Sequence, residues 1–184
     1  MSPMIEPEGP LVKDTNLMSP PALTRMLLAS DGSTTYLLEA LLGASLVIRV
    51  EQQRRMPASG LPKRIQDALT VSPYDTVISR RSQLRQDNGG LVSVNHVVTR
   101  WSPDDVLVEI MTNDEEPIGR AMRRCEMAQF RRIIDAGVCV WKLDQPSRPC
   151  AFKEYVIMRD GIPEIYVHET FNPDHVPVSA AIAT

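Results

Sequence analysis

The 184-residue sequence lacks most of the features that announce a chemistry. It has three cysteines, Cys125, Cys139 and Cys150, an odd number with no CxxC and no Cys/His ligand spacing. That argues against a disulfide framework or a zinc site and fits a reducing, cytoplasmic setting. No apolar run approaches the roughly 18 residues of a membrane span. The first ten residues are acidic and proline-bearing, unlike a signal peptide. No Walker loop, GxGxxG or HExxH occurs, so nucleotide and zincin chemistry has no motif support. An excess of positive charge is also missing: 20 Lys and Arg against 23 Asp and Glu give a net charge of −3 and a pI of about 5.6. No global field draws the chain to nucleic acid or to an anionic membrane, so a negative ligand must be held by local arginines. Internal repeats are absent, and the first 20 residues do not form a helix-turn-helix.

What remains is an ordinary globular composition, 43% hydrophobic and 23% charged, at the usual size of one domain. The expected division is a mobile lead-in over residues 1–20, a domain over 21–172 and a loose tail over 173–184. Short helices are expected over 21–29 and 35–42, the second capped by Ser33 or Thr34 and closed by Gly43. A β-branched strand follows over 46–53, then a loop over 56–63 and a helix near 62–69. Two hairpins are the clearest signals. One joins 74–85 to 91–100 through a turn containing Asn88-Gly89, and the other joins 152–159 to 162–171 at Asp160-Gly161. Between them, Ser102-Pro-Asp-Asp reads as a helix start with a capping serine, and 115–124 and 126–136 read as two helices, the latter closed by Gly137. Antiparallel hairpins with helices inserted between them give an α+β class, an antiparallel sheet flanked by helices.

Side chains alternate across a strand, so each strand divides into two faces. Arg80 lies with Ile78, Ser82 and Leu84 on the more apolar face of its strand, and Glu169 lies with Ile165, Val167 and Phe171 on that of the last strand. A charge on a core face is costly unless paired or used by a ligand. Either an Arg80–Glu169 ion pair or a ligand site satisfies the pattern. His96, among Val92, Val94 and Val98, reads as a core histidine before it reads as a base, and His168 falls on the wetter face. The starts at Asp31-Gly-Ser-Thr-Thr and at Pro117-Ile118-Gly119 suit helix capping as well as anion binding. Arg120, Arg123, Arg124, Arg131 and Arg132 read as the wet face of two helices. Cys125 has no visible His or Asp partner for nucleophilic chemistry.

Four segments in order, D-G-S-T-T-Y-L-L at 31–38, V-I-S-R-R-S-Q-L at 77–84, N-D-E-E-P-I-G-R at 113–120 and V-H-E-T-F at 167–171, resemble the chorismate pyruvate-lyase superfamily from about Leu23 to Phe171. The resemblance implies an enclosed ligand cavity and release of pyruvate from chorismate to give 4-hydroxybenzoate, without metal or redox cofactor. By position it implies catalytic roles for Arg80 and Glu169, and a substrate pocket comprising Thr34, Tyr36, Arg80, Ile118, Gly119 and Glu169. Where the lyases have an apolar residue, Thr and Arg, this sequence has Thr34, Thr35 and Tyr36, which bears on substrate identity more than on fold. Another small carboxylate as substrate, or an aromatic-acid-binding domain without catalysis, are the competing expectations.

Overall fold

One antiparallel sheet of six strands organises the chain, with spatial order β1-β2-β3-β6-β5-β4. The structure is a computed structural model describing residues 20–103, 105–126 and 130–179. The strands are β1 (Leu46–Pro57), β2 (Thr76–Gln86), β3 (Leu91–Arg100), β4 (Phe130–Trp141), β5 (Arg148–Arg159) and β6 (Ile162–Phe171). The helices are α1 (Ala22–Ala29), α2 (Thr34–Leu42), α3 (Lys63–Leu69), α4 (Val106–Thr112) and α5 (Ile118–Arg124).

Both hairpins form where the turn chemistry put them. Gly89, at φ 87°, turns the first, and its N–H donates to the Gln86 carbonyl at 2.8 Å. Asp160 and Gly161 both hold positive φ, at 52° and 79°, which matches the right-handed twist of the flanking strands. The sheet buries both faces. Helices α1 and α2 pack Leu27 and Leu38 against Leu46, Leu84, Ala151 and Phe171, while α4 and α5 pack Leu107, Ile110, Met111 and Met122 against Ile78, Val97, Ile165 and Val167. On the opposite face α3 packs Ile65 and Leu69 against Val77, Val98, Val156 and Tyr166.

Several expectations are corrected. Residues 130–136, expected as helix, form the start of β4, paired along its length with β5. The run Phe130-Arg-Arg-Ile-Ile suits either period, and a free sheet edge beside β5 decides it. Residues 127–129 of that expected helix lie outside the described residues. Gly137 does not close a helix. It lies in mid-strand opposite Phe152, where an added Cβ would sit 3.3 Å from the ring. Asp105, not Ser102, caps α4 by accepting from the Leu107 N–H at 2.9 Å. Helix α5 starts at Ile118 because the preceding Pro117 disfavours a helical Glu116. Strand β1 runs on to Pro57 and a 3-10 turn, leaving less loop than expected. Ser33 is the N-cap of α2 but its hydroxyl makes no capping bond. In the segment expected as a tail, Val176 and Val178 are buried, and the Thr24 hydroxyl donates to the Pro177 carbonyl at 2.7 Å. The expected lead-in lies outside the described residues apart from Pro20.

Candidate functional site

The register lays a polar row across four strands on the face beneath α1, α2 and α5. Ser82 stands opposite Asn95, Asn95 opposite Glu169, and Glu169 opposite Lys153. The next row is Arg80, Val97, Val167 and Tyr155. Arg80 and Glu169 therefore point inward on one face, at 0% and 5% exposure. They do not form an ion pair with each other. Two strand spacings, about 10 Å, and one row separate them.

Arg80 is partly used by the fold. Its Nη1 donates to the Met111 and Asn113 carbonyls, both at 2.8 Å, at the C-terminal end of α4. Cations suit that end of a helix. Its Nε and Nη2 are buried without a hydrogen-bond partner among the described residues. Burial makes its charge harder to keep, and Asp114 partly offsets this.

Glu169 faces a cavity of about 50 Å³ that Ser33, Thr34, Asn95, Ile118, Gly119, Arg131 and Tyr155 also line. Burial raises its pKa above the ordinary carboxyl range, against opposing effects of Thr34, of the Lys153 and Arg131 charges and of Tyr155. Four polar atoms of the lining, Ser33 Oγ, Thr34 Oγ1, Arg131 Nε and Glu169 Oε2, are buried and make no well-formed hydrogen bond among the described residues, although the Thr34 and Tyr155 hydroxyls lie near enough to Glu169 to favour its ionised form. Buried polar groups are normally satisfied, so four in one small space mark a place for a polar guest. Lys153, 0% exposed, donates to the Leu27 carbonyl at 3.2 Å and to that of Ser30, holding the end of α1. Burial lowers its pKa, and Glu169 counteracts that.

Outside this cavity lies an open cleft of about 500 Å³ between α2 and α5, lined by Tyr36, Leu37 and Arg123 and sharing Ser33 and Gly119 with it. Gly119 lies so close to α2 that an added Cβ would be 2.6 Å from Ser33 Oγ. An ion pair between Arg120 and Glu39 ties the two helices together.

Of the residues singled out from the sequence, Thr34, Ile118, Gly119 and Glu169 meet in the inner cavity. Tyr36 lies in the outer cleft, and Arg80 stands one row away on the same face. Two participants were missed. Arg131 was hidden by the helical reading of its segment. Lys153 was legible, since it alternates with Ala151, Tyr155 and Ile157 on a buried strand face. His168, expected on a wet face, instead stacks on Phe152 with ring centroids 5.6 Å apart, 3.7 Å from Glu154. His96 bonds Ser79 Oγ through Nε2 at 2.9 Å on the sheet face away from the cavity. Among the described residues no cluster of three or more His, Cys, Asp or Glu could hold a metal, and no helix is long and apolar enough to cross a membrane.

An antiparallel six-stranded sheet with helices closed over a polar cavity defines the chorismate lyase-like α+β fold. The model of the family "Chorismate pyruvate-lyase Rv2949c-like" matches residues 28–177, and the chain belongs to that family. Among solved structures, the effector domain of PhnF from Mycobacterium smegmatis is similar at TM-score 0.58 and 16% identity, covering 85% of this chain and 93% of that one. The gene product SA0254 from Staphylococcus aureus is similar at TM-score 0.54 and 15% identity, covering 80% of this chain and 92% of the other. The ligand-binding domain of a transcriptional regulator placed in the GntR family, from Bordetella bronchiseptica, gives TM-score 0.53 and 16% identity, with 72% and 87% covered. At these identities the likeness is one of fold. No curated protein matches the chain.

Proposed function

We propose that the chain releases pyruvate from chorismate to give 4-hydroxybenzoate, with Glu169 as the proton-handling group. The observation that carries this is the buried carboxyl oxygen of Glu169 that makes no well-formed hydrogen bond among the described residues and faces a cavity that Arg131 also lines. In the reaction the ether C–O bond breaks, and the neighbouring ring carbon bearing the hydroxyl loses its proton. The departing enolpyruvate gains a proton at its methylene carbon to become pyruvate. The ring becomes aromatic, which drives the step. Two proton movements and a developing charge are what the protein must manage.

A carboxyl group whose pKa burial raises gives up its proton less readily than a solvated one and is suited to exchange a proton with substrate. The Arg131 guanidinium is always charged and its fork matches a carboxylate. Arg80, with two unengaged nitrogens one row away, is a second donor within the same face. Burial strengthens each of these interactions by excluding water.

The test is purified protein with chorismate, following pyruvate and 4-hydroxybenzoate together. Both products are expected in equal amounts from the wild type, with turnover lost in Glu169→Gln and Arg131→Gln. No product at high protein concentration refutes the lyase assignment. A second reading, a ligand-binding domain without catalysis, is supported by the fold shared with regulator domains. It predicts saturable binding of 4-hydroxybenzoate with chorismate left intact.

A further inference from the structure

Near the turn of the β4–β5 hairpin two thiols face each other. Cys139 and Cys150 stand directly opposite in the antiparallel register, and their sulfurs are 3.4 Å apart. Along β5, Cys150 alternates with Ala151 and Lys153, so the pair shares the sheet face of Phe152 and Glu154, turned away from the cavity that Tyr155 lines. Directly opposed residues of antiparallel strands have Cα atoms about 4.5–5.5 Å apart, inside the roughly 4.4–6.8 Å that a disulfide spans. Rotation of the side chains, without movement of the strands, brings the sulfurs to the bonding distance of about 2.05 Å.

The two thiols are not equivalent. Cys139 is half-buried and Cys150 is 0% exposed. The Cys150 thiol donates to the Cys139 sulfur and lowers the Cys139 pKa, and the Thr170 hydroxyl and the Lys142 charge act the same way against burial. That same hydrogen bond, burial and the Cys139 charge raise the Cys150 pKa. The sulfur that solvent reaches is therefore also the one that ionises more readily, and the thiolate is the nucleophile. The third thiol, Cys125, packs against the core cluster beneath α4 and α5, on the other face of the sheet.

We propose that Cys139 and Cys150 form a reversible oxidation site for hydroperoxides, with Cys139 as the attacking thiol and Cys150 as the resolving one. The Cys139 thiolate attacks one peroxide oxygen, so that an S–O bond forms, the O–O bond breaks and hydroxide leaves. Sulfur is oxidised to a sulfenic acid and the peroxide is reduced. Cys150 then gives up its proton and its sulfur attacks that of Cys139. The S–S bond forms, the S–O bond breaks, and hydroxide leaves with that proton as water. With hydrogen peroxide, two thiols and one peroxide yield one disulfide and two waters. A thiol reductant restores both cysteines by exchange. The bond ties β4, an edge strand with β5 as its one strand neighbour, to the rest of the sheet.

The experiment treats the reduced full-length chain with hydrogen peroxide and measures free thiols in denaturant, intact mass and the proteolytic peptides. The wild type is expected to fall from three thiols to one and to lose the mass of two hydrogens, with a peptide that joins Cys139 to Cys150. Dithiothreitol should reverse all three changes. Cys125→Ser is expected to oxidise in the same way. Dimedone, which traps sulfenic acids, should label Cys139 in Cys150→Ala and leave Cys150 unlabelled in Cys139→Ala. The wild-type peptides decide the pairing even if a variant fails to fold. Three thiols retained, a disulfide that includes Cys125, or one that joins two chains overturns the proposal. Dimedone on Cys150 in Cys139→Ala, with none on Cys139 in Cys150→Ala, overturns the assigned order of attack.

Discussion

Replacing Glu169 with glutamine removes a charge that the fold resists while keeping the side chain's shape. The carboxyl group is 5% exposed and one oxygen makes no well-formed hydrogen bond among the described residues. Lys153 and Arg131 attract its ionised form, yet burial outweighs them and the pKa is raised. A raised carboxyl pKa means that the folded state holds a proton where the unfolded chain, titrating near 4.3, has lost it. Wild-type stability from this group therefore falls as pH rises from about 4 toward the folded value and stays reduced above it. Each pH unit between the two titrations corresponds to about 1.4 kcal/mol, and each kcal/mol moves the Tm of a chain this size by about 2–4 °C. Glu169→Gln is thus expected to melt above the wild type at pH 7, while losing activity, the usual exchange of function for stability. Thermal unfolding followed by circular dichroism from pH 3.5 to 8, at fixed ionic strength, measures the difference. The two curves should converge at the acid end. A variant less stable than the wild type at pH 7, with a gap that closes only once Glu169 is protonated, would mean that Lys153 and Arg131 hold it ionised. The proton-handling role would then fail.

Two further outcomes test the frame around the site. His96 sits among Arg81, Arg54, Arg64 and His168, and burial together with those charges lowers its pKa to about 4. Its ring resonances should titrate there by NMR. Because the unfolded histidine takes its proton near 6.5, acidification from 6.5 toward 4 should cost stability that His96→Gln does not lose. Burial alone would raise the Asp105 pKa, but bonds from Arg159 and the Leu107 N–H and the Arg159 charge hold it below the usual range. Asp105→Ala is expected to cost about 1–2 kcal/mol in urea unfolding at pH 7. That cost should shrink as pH falls through the lowered folded value, where the wild type loses the same interaction.

Elements governed by local chemistry were legible along the chain. Asn88-Gly89 and Asp160-Gly161 specify tight turns, because only residues tolerant of positive φ close such hairpins. Alternation then assigned Arg80 and Glu169 to buried faces, since a two-residue period needs no knowledge of neighbours. The remaining features depend on contacts between distant segments. Residues 130–136 satisfy helical and extended periods alike, and β5, which offers unpaired backbone groups along its edge, makes them a strand and carries Arg131 into the cavity. The strand order places β3 between Arg80 and Glu169, so the two inward charges stay apart, and Glu169 faces Arg131 and Lys153 instead. Which charges share a cavity depends on how distant segments pair, and that information resides in the register between strands and not along any one of them.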